Sequence, residues 1–270
     1  MGKESMKISK TALWLSAINA LLVLTASASG IFLKNIYARE TPSWAVQGIG
    51  QDIVNLIAAV VLFIAAYFVN KGSCKAFLIW SGVLLYLIYA YVIYTFDVHF
   101  NSLFLVYVAI LGLSFYALIV SVIHLNLDDM QAYFSANTKA SVASVFLLVL
   151  GILFYLLWLS EEIPALLTGI IPQSVLQANL PTNPVHVLDL GLYLPAMLIT
   201  GLLLWRRKLL GYLLAGPLLV FSILTGCAIL AIFFVMSSKG MPTNVAIEAF
   251  IVVIIVVSLV LSVLFLREVT

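Results

Sequence analysis

The chain has 270 residues, of which 64% are hydrophobic and only 9% charged, and its mean hydropathy is +1.19. Ordinary soluble domains carry roughly 25% charged residues, so a chain this apolar could not cover itself with polar surface in water. That excludes the soluble globular class, along with disorder, collagen and disulfide scaffolds, and leaves a polytopic membrane protein. Thirteen Lys and Arg stand against eleven Asp and Glu, with no basic run and no interleaved aromatic stripe, so nothing points to nucleic acid.

Eight stretches approach the roughly 20 apolar residues that span a bilayer: about 11–33, 53–70, 76–96, 102–123, 141–160, 186–205, 209–236 and 245–266. The bilayer core cannot hydrate open backbone groups, so these are read as helices. Before the first of them, Lys3, Lys7 and Lys10 precede an apolar run that passes Ala26-Ser27-Ala28. That is a signal-peptide outline, but the run is longer than an h-region of about 7–15 residues. It is read as an uncleaved first helix.

With the N-terminus inside, the inner loops collect Lys71, Lys75, Lys139, Arg206, Arg207, Lys208 and Arg267, while the outer side holds only Lys34, Arg39 and Lys239. The positive-inside rule then places both termini in the cytoplasm. The acids run the other way: Glu40, Asp52, Asp97, Glu161, Glu162, Asp189 and Glu248 fall on or near the outer side. The plain reading is a solvated rim. The sharper one is a mouth that attracts cations or handles protons.

The spans divide into two sets of four, 11–123 and 141–266, joined by a polar cytoplasmic linker, 124–140. The second helix of one set reads Gln51-Asp52-Ile53-Val54-Asn55-Leu56; its counterpart reads Leu188-Asp189-Leu190-Gly191-Leu192-Tyr193. Gly82 and Gly216 then open the middles of the third helices, and Asn101 and Asn244 start the fourth. An even number of helices per half makes such a duplication parallel, with its axis along the membrane normal. Each Asp would follow a long outer loop. The loop at 161–185 carries Pro164, Pro172, Pro181 and Pro184, and prolines so spaced should cut it into one or two short interfacial helices.

Ionisable residues within spans are functional candidates by default. Asp52 and Asp189 lead, with the alternative that each caps a helix N-terminus. Helix three offers Tyr86, Tyr89, Tyr94 and Asp97 on one broad face. That face suits a polar cavity or, for Tyr94, an aromatic belt. Asn55, one turn below Asp52, and Glu248, one turn into helix eight, are expected to face protein. His99 and His186, with Glu161 and Glu162, supply ligand types for a metal such as Zn²⁺ or Mn²⁺, though no tight ligand spacing appears. Pro195 and Pro217 should kink helices six and seven. Cys74 and Cys227 form no Cys-x-x-Cys and are read as packing residues. Retinal-type lysines, paired haem histidines and a Walker loop are missing, so no cofactor is expected. Glu161-Glu162 lacks the arginine and histidine motifs of the intramembrane CAAX-type proteases.

Three stretches carry a resemblance: Tyr89-Ala90-Tyr91 through Phe100-Asn101-Ser102-Leu103-Phe104-Leu105-Val106-Tyr107, Pro181 to Pro195 around Val187-Leu188-Asp189-Leu190, and Leu204-Trp205-Arg206-Arg207-Lys208 with Gly211-Tyr212. Over nearly its whole length the chain resembles a widespread group of uncharacterised prokaryotic eight-helix integral membrane proteins. The resemblance implies a shared fold and brings no activity with it.

The expectation is therefore an all-α, eight-helix transmembrane bundle in a prokaryotic cytoplasmic membrane, one integral domain over 1–270. Its surroundings are the lipid bilayer, with a small-molecule or cation ligand arriving from the outer side. Three functions stay open. One is binding or transport through an outward-facing cavity lined by Asp52, Asp97, Asp189 and the helix-three tyrosines. Another is a membrane-embedded enzyme acting on a lipid-like substrate, with His186 or His99 as base or metal ligand. The third is a non-catalytic accessory or sensory subunit. Protein partners are not legible.

Overall fold

The computed structural model describes residues 8–134 and 140–269, so Lys3, Lys7 and Lys139 of the topology argument lie outside the described residues. Among the described residues the protein is all-α. Eight helices are long and apolar enough to cross a membrane: α1 Lys10–Phe32, α2 Pro42–Asn70, α3 Cys74–Phe96, α4 Phe104–Ile123, α6 Ala140–Thr168, α8 Pro184–Trp205, α9 Leu209–Ser238 and α10 Val245–Glu268. Two short helices, α5 Leu127–Gln131 and α7 Gln173–Ala178, lie in the connections.

Local chemistry sets the helix ends. Thr41 accepts a hydrogen bond from Trp44 N, and Pro42 occupies the first turn of α2. Ser73 caps α3, Asn183 caps α8 and Asn244 caps α10. Gly72, with φ of 84°, stops α2 in the left-handed conformation that side chains resist.

Two spans are longer than hydropathy alone predicts. α2 begins at Pro42 because the glycine- and glutamine-rich segment before Asp52, expected as loop, is helical. α6 runs through Pro164 to Thr168. A proline removes the bond to the carbonyl four residues back, here that of exposed Ser160, so the helix survives its loss. Beyond it α7 crosses the start of α2, where the Thr41 hydroxyl donates to the Gln177 carbonyl at 3.0 Å.

The first four long helices close a ring, α1 against α2, α2 against α3, α3 against α4 and α4 against α1. In the second set α6 packs on α8, α8 on α9 and α9 on α10, but α10 barely touches α6. The second ring is therefore open. The sets meet where α9 lies against both α2 and α3. Close crossings there depend on missing side chains: a Cβ on Gly50 would strike the Ile232 backbone, and one on Gly82 would strike the Pro217 carbonyl and Val220. α3 is the most enclosed span, with Trp80, Tyr86 and Tyr91 fully buried. At the end bearing Lys71, Lys75 and Arg206 to Lys208, here the basic end, the linker packs back: Phe134 bridges to Val269 and its ring meets Tyr212 and Phe265.

Candidate functional site

Asp52 does not cap a helix. It lies ten residues inside α2, whose cap is Thr41. Asp189 likewise lies inside α8, whose cap is Asn183. The capping reading placed each helix start too late along the chain. At 1.5 Å per residue Asp52 stands about 27 Å, and Asp189 about 24 Å, above the basic ends of their helices. A hydrocarbon core of about 30 Å therefore reaches both. Asp52 is 1% exposed and Asp189 7%.

Asp52 is held by tyrosines. The Tyr37 hydroxyl donates to Oδ2 at 2.5 Å, and the Tyr94 hydroxyl lies 2.9 Å from Oδ1 and 3.1 Å from the Gly48 carbonyl. Tyr37 belongs to the turn between α1 and α2. Burial, reinforced by the neighbouring Asp52, pushes its phenol well above the ordinary range, so it stays a donor. Gly30 of α1 makes the approach feasible: a Cβ there would fall onto Asp52 Oδ2 and close to the Tyr37 hydroxyl. The Tyr94 ring packs in a three-ring cluster with Tyr91 and Tyr107, its centroid 5.1 Å from each and theirs 6.0 Å apart.

Beneath lie further polar groups. Gln51 donates to the Tyr86 hydroxyl at 2.7 Å and to Asn55 Oδ1 at 3.3 Å. Ser27 and Asn55 stand beside the Asp52 carboxylate, and Tyr91 stands near Ser27. Yet Ser27 Oγ, Asn55 Nδ2, Tyr91 OH and Tyr107 OH, all buried, make no hydrogen bond of ordinary length and angle. Deeper along α1, Asn19 donates to Ser114 at 2.7 Å and Ser16 accepts from Trp80 Nε1 at 3.0 Å. The first ring thus has a polar interior in an apolar protein.

Asp189 has its own surroundings. Tyr89 OH donates to Oδ1 at 3.0 Å and Trp158 Nε1 to Oδ2 at 2.8 Å. One turn toward the far end, His186 Nδ1 pairs with Glu162 Oε1 at 2.6 Å, and Nε2 faces Glu161 Oε2 at 4.0 Å. Trp158 covers the imidazole, ring centroids 4.3 Å apart. Below Asp189, α8 widens into a π turn over Asp189–Tyr193, in which Leu194 N–H reaches the Asp189 carbonyl. Pro195 has no N–H for the Leu190 carbonyl in that register. The Tyr155 hydroxyl supplies the bond at 2.8 Å.

A narrow cavity of about 70 Å³ opens at the far end between α2, α3 and α9. Tyr37, Trp44, Gln47, Gly48, Gln51, Tyr94, Val185 and Ile232 are among its lining. Of the expected ligand residues only Tyr94 lines it. Asp52 sits one side-chain layer behind, screened by Tyr37 and Tyr94. Tyr86 and Asn55 lie deeper, reached through Gln51. Asp189 and Tyr89 belong to the other cluster, so the tyrosine face of α3 is divided between two carboxylates. Tyr94, 3% exposed, is no belt residue.

The other candidates stand apart. Asp97 ends α3, half-buried, and with His99 borders a separate, wider and more open pocket of about 320 Å³; its burial raises the carboxyl above the usual range. Glu248, expected to face protein, is only partly buried in the first turn of α10, where a carboxylate favours the helix dipole. His99 pairs with Glu40, whose side chain is 1% exposed, through Nδ1 to Oε2 at 2.9 Å. The metal candidates therefore split, His99 with Glu40 and His186 with Glu161 and Glu162. Among the described residues no three His, Cys, Asp or Glu side chains converge as a metal site.

Comparison with protein-family models, curated proteins and solved structures finds no match for the chain.

Proposed function

We propose that this protein binds a small polar solute from the extracytoplasmic side and carries it across the membrane, with Asp52 as the coupling group. One observation carries the reading: the two hydroxyls that hold Asp52 belong to the wall of the cavity that opens at the far end. A solute that displaced Tyr37 or Tyr94 would change the hydrogen bonding of a carboxylate inside the membrane. Binding and the charge state of Asp52 are thereby linked. The lining residues include aromatic rings and the amides of Gln47 and Gln51, with no formal charge, which favours an uncharged or weakly charged ligand.

The orientation rests on Lys and Arg: the basic end is cytoplasmic and the cavity faces out. The matching depths of Asp52 and Asp189 support two related halves, with α9 as the contact between them. In such folds binding sites lie where the halves meet, which is where this cavity lies.

The enzyme reading has less behind it. His186 is its natural base, but the ring lies beneath Trp158 and each ring nitrogen faces a carboxylate. His99 is committed to Glu40.

The test is uptake of labelled amino acids, monosaccharides, nucleosides and organic cations by cells making the wild-type protein, Asp52→Asn or Gln51→Ala. The expected result is accumulation of one solute class by wild type, lost in Asp52→Asn and weakened in Gln51→Ala. Uptake indistinguishable from that of cells lacking the protein, for every class, overturns the transport reading.

A further inference from the structure

We infer that the wider outer pocket beside Asp97 is a binding site for an organic ammonium group, carried by a free amine or by the headgroup of an amine phospholipid. The Asp97 carboxylate meets the positive charge, Phe96, Phe100 and Phe104 surround the carbon groups on the nitrogen, and His99 Nε2 serves a polar hydrogen of the ligand. The site is distinct from the narrow cavity and does not rest on the transport reading.

The pocket forms where the two sets of helices meet at the far end. The first set supplies Thr95 to Phe100, at and after the end of α3, and Phe104 at the start of α4; the second supplies Asn179, Leu180 and Pro181. Asn179, with φ of 55°, ends α7 in the left-handed conformation and redirects the chain there. At about 320 Å³ the pocket falls within the range of small-molecule sites, about 300–1,000 Å³. A cavity of about 150 Å³ holds benzene, so this one has room for on the order of ten non-hydrogen atoms.

The lining names the ligand. Trp44 Nε1 donates to the backbone carbonyl of Asp97 at 3.3 Å and fixes the main chain. Among the described residues no ion pair engages the Asp97 carboxylate, and burial alone raises its carboxyl, with no hydrogen bond lowering it. A half-buried carboxylate in that state is completed by a positive charge. Glu40 acts from behind. Its side chain is 1% exposed, and both of its oxygens serve one residue: Oε1 accepts from His99 N at 2.7 Å, and Oε2 faces His99 Nδ1 at 2.9 Å. A buried carboxylate that grips an imidazole by Nδ1 fixes the ring and leaves Nε2 as the nitrogen free to serve a ligand. The His99 side chain is 40% exposed and borders the pocket. Phenyl rings complete the wall, Phe100 and Phe104 with centroids 5.2 Å apart. The faces of such rings attract ammonium groups.

Other ligand classes fit this lining less well. An anion meets the Asp97 charge, with Glu40 behind His99. A metal ion finds Asp97 and His99, but among the described residues no third His, Cys, Asp or Glu converges with them. A neutral molecule leaves the Asp97 charge uncompensated. Arg39 is exposed at the rim, where Nη1 donates to the Phe100 carbonyl at 3.2 Å, and it makes no ion pair with Asp97. It is placed to meet the phosphate where the ammonium belongs to a phospholipid.

The experiment is thermal unfolding of the full chain, purified in detergent at neutral pH and titrated in turn with choline chloride and ethanolamine hydrochloride. NaCl holds ionic strength constant, and the uncharged alcohol in which carbon replaces the choline nitrogen runs in parallel. Wild type is expected to gain several degrees of Tm, saturably, with an amine and not with NaCl or the alcohol. Asp97→Asn, which keeps the side-chain shape, is expected to lose the response. Phe100→Leu, which keeps an apolar side chain but no ring, is expected to raise the half-saturating concentration about threefold. Glu248→Gln, at a carboxylate of the same end outside the pocket, is expected to respond like wild type. Binding of the radiolabelled amine in nanodiscs separates the sources: phosphatidylethanolamine in place of phosphatidylglycerol suppresses it if the headgroup is the occupant, and leaves it unchanged if a free amine is. The inference is overturned if neither amine shifts Tm, if the alcohol or NaCl stabilises equally, or if Asp97→Asn keeps the response. No variant here touches Asp52 or Gln51, so failure leaves the transport reading standing, and failure of solute uptake leaves this site standing.

Discussion

Removing the Tyr94 hydroxyl isolates how strongly the buried carboxylate depends on its donors. In Tyr94→Phe the ring is expected to stay in place, because it is buried and packs against both Tyr91 and Tyr107 at 5.1 Å. What is lost is the 2.9 Å contact with Asp52 Oδ1 and the 3.1 Å contact with the Gly48 carbonyl. Hydrogen bonds to charged groups contribute about 1.5–3 kcal/mol. Polar contacts between membrane helices average about 0.6 kcal/mol and reach about 1.7. Asp52 is 1% exposed and its neighbours cannot relax toward water, so the upper part of the membrane range applies, about 1.5 kcal/mol. In an Asp52→Asn background the partner is a neutral amide, and the same hydroxyl is expected to contribute about 0.6 kcal/mol. The coupling between the two positions is then about 1 kcal/mol, read by a double-mutant cycle of reversible unfolding in mixed micelles. A loss below about 0.3 kcal/mol in both backgrounds, within the additivity error of such cycles, would refute the account of Asp52 as a tyrosine-held carboxylate.

Other outcomes follow from single contacts. Gly30→Ala is expected to cost about 1–3 kcal/mol, because its Cβ displaces Asp52 and Tyr37. Gly112→Ala, with open space around it, is expected to be neutral or to stabilise by up to about 1 kcal/mol; equal effects in unfolding assays would count against the close approach at Gly30. Tyr155→Phe is expected to lose about 1 kcal/mol by orphaning the Leu190 carbonyl at the π turn. Adding Pro195→Ala should restore part of it by returning an N–H, and a Tm that falls further would contradict that origin of the π turn. Asp97→Asn tests a sign. Burial raises the folded carboxyl above its unfolded value near 3.9, so the native state binds the proton more tightly. Stability is then lost as pH climbs from that value through the raised one. Asp97→Asn is expected to melt higher than wild type at neutral pH and level with it in acid; the reverse order would show that the carboxylate has a stabilising partner.

Much of this architecture was legible. Length and apolarity placed all eight spans, because a bilayer allows few alternatives to a helix of that length. The two intramembrane aspartates stood out for the same reason. Their surroundings did not. A helix start placed where hydropathy rises misses the caps at Thr41-Pro42 and Asn183-Pro184 and sets both aspartates at helix ends. Tyr37 lies in a turn, and no spacing in the sequence tells that it folds back under Gly30. The signal available was Gly30 itself, a residue without a side chain on an otherwise small-residue face of α1. Helical spacing puts the α3 tyrosines on one broad face, but a face of that breadth can serve two neighbours. Tyr94 turns to Asp52 and Tyr89 to Asp189. Which long-range pairs form, such as Trp158 with Asp189, depends on packing that a hydropathy pattern does not encode.

The proposed function requires a cavity that opens to the outside and a wall that screens Asp52. Side-resolved labelling of Gln47→Cys tests it most directly, in a background with Cys74→Ser and Cys227→Ala. Gln47 lines the cavity and lies on α2 above Asp52. In intact cells a membrane-impermeant maleimide is expected to label it readily. Ala59→Cys, at a fully buried position lower on the same helix, is expected to stay unlabelled. Labelling of Gln47→Cys only in inverted vesicles, or no labelling from either side, would contradict the account.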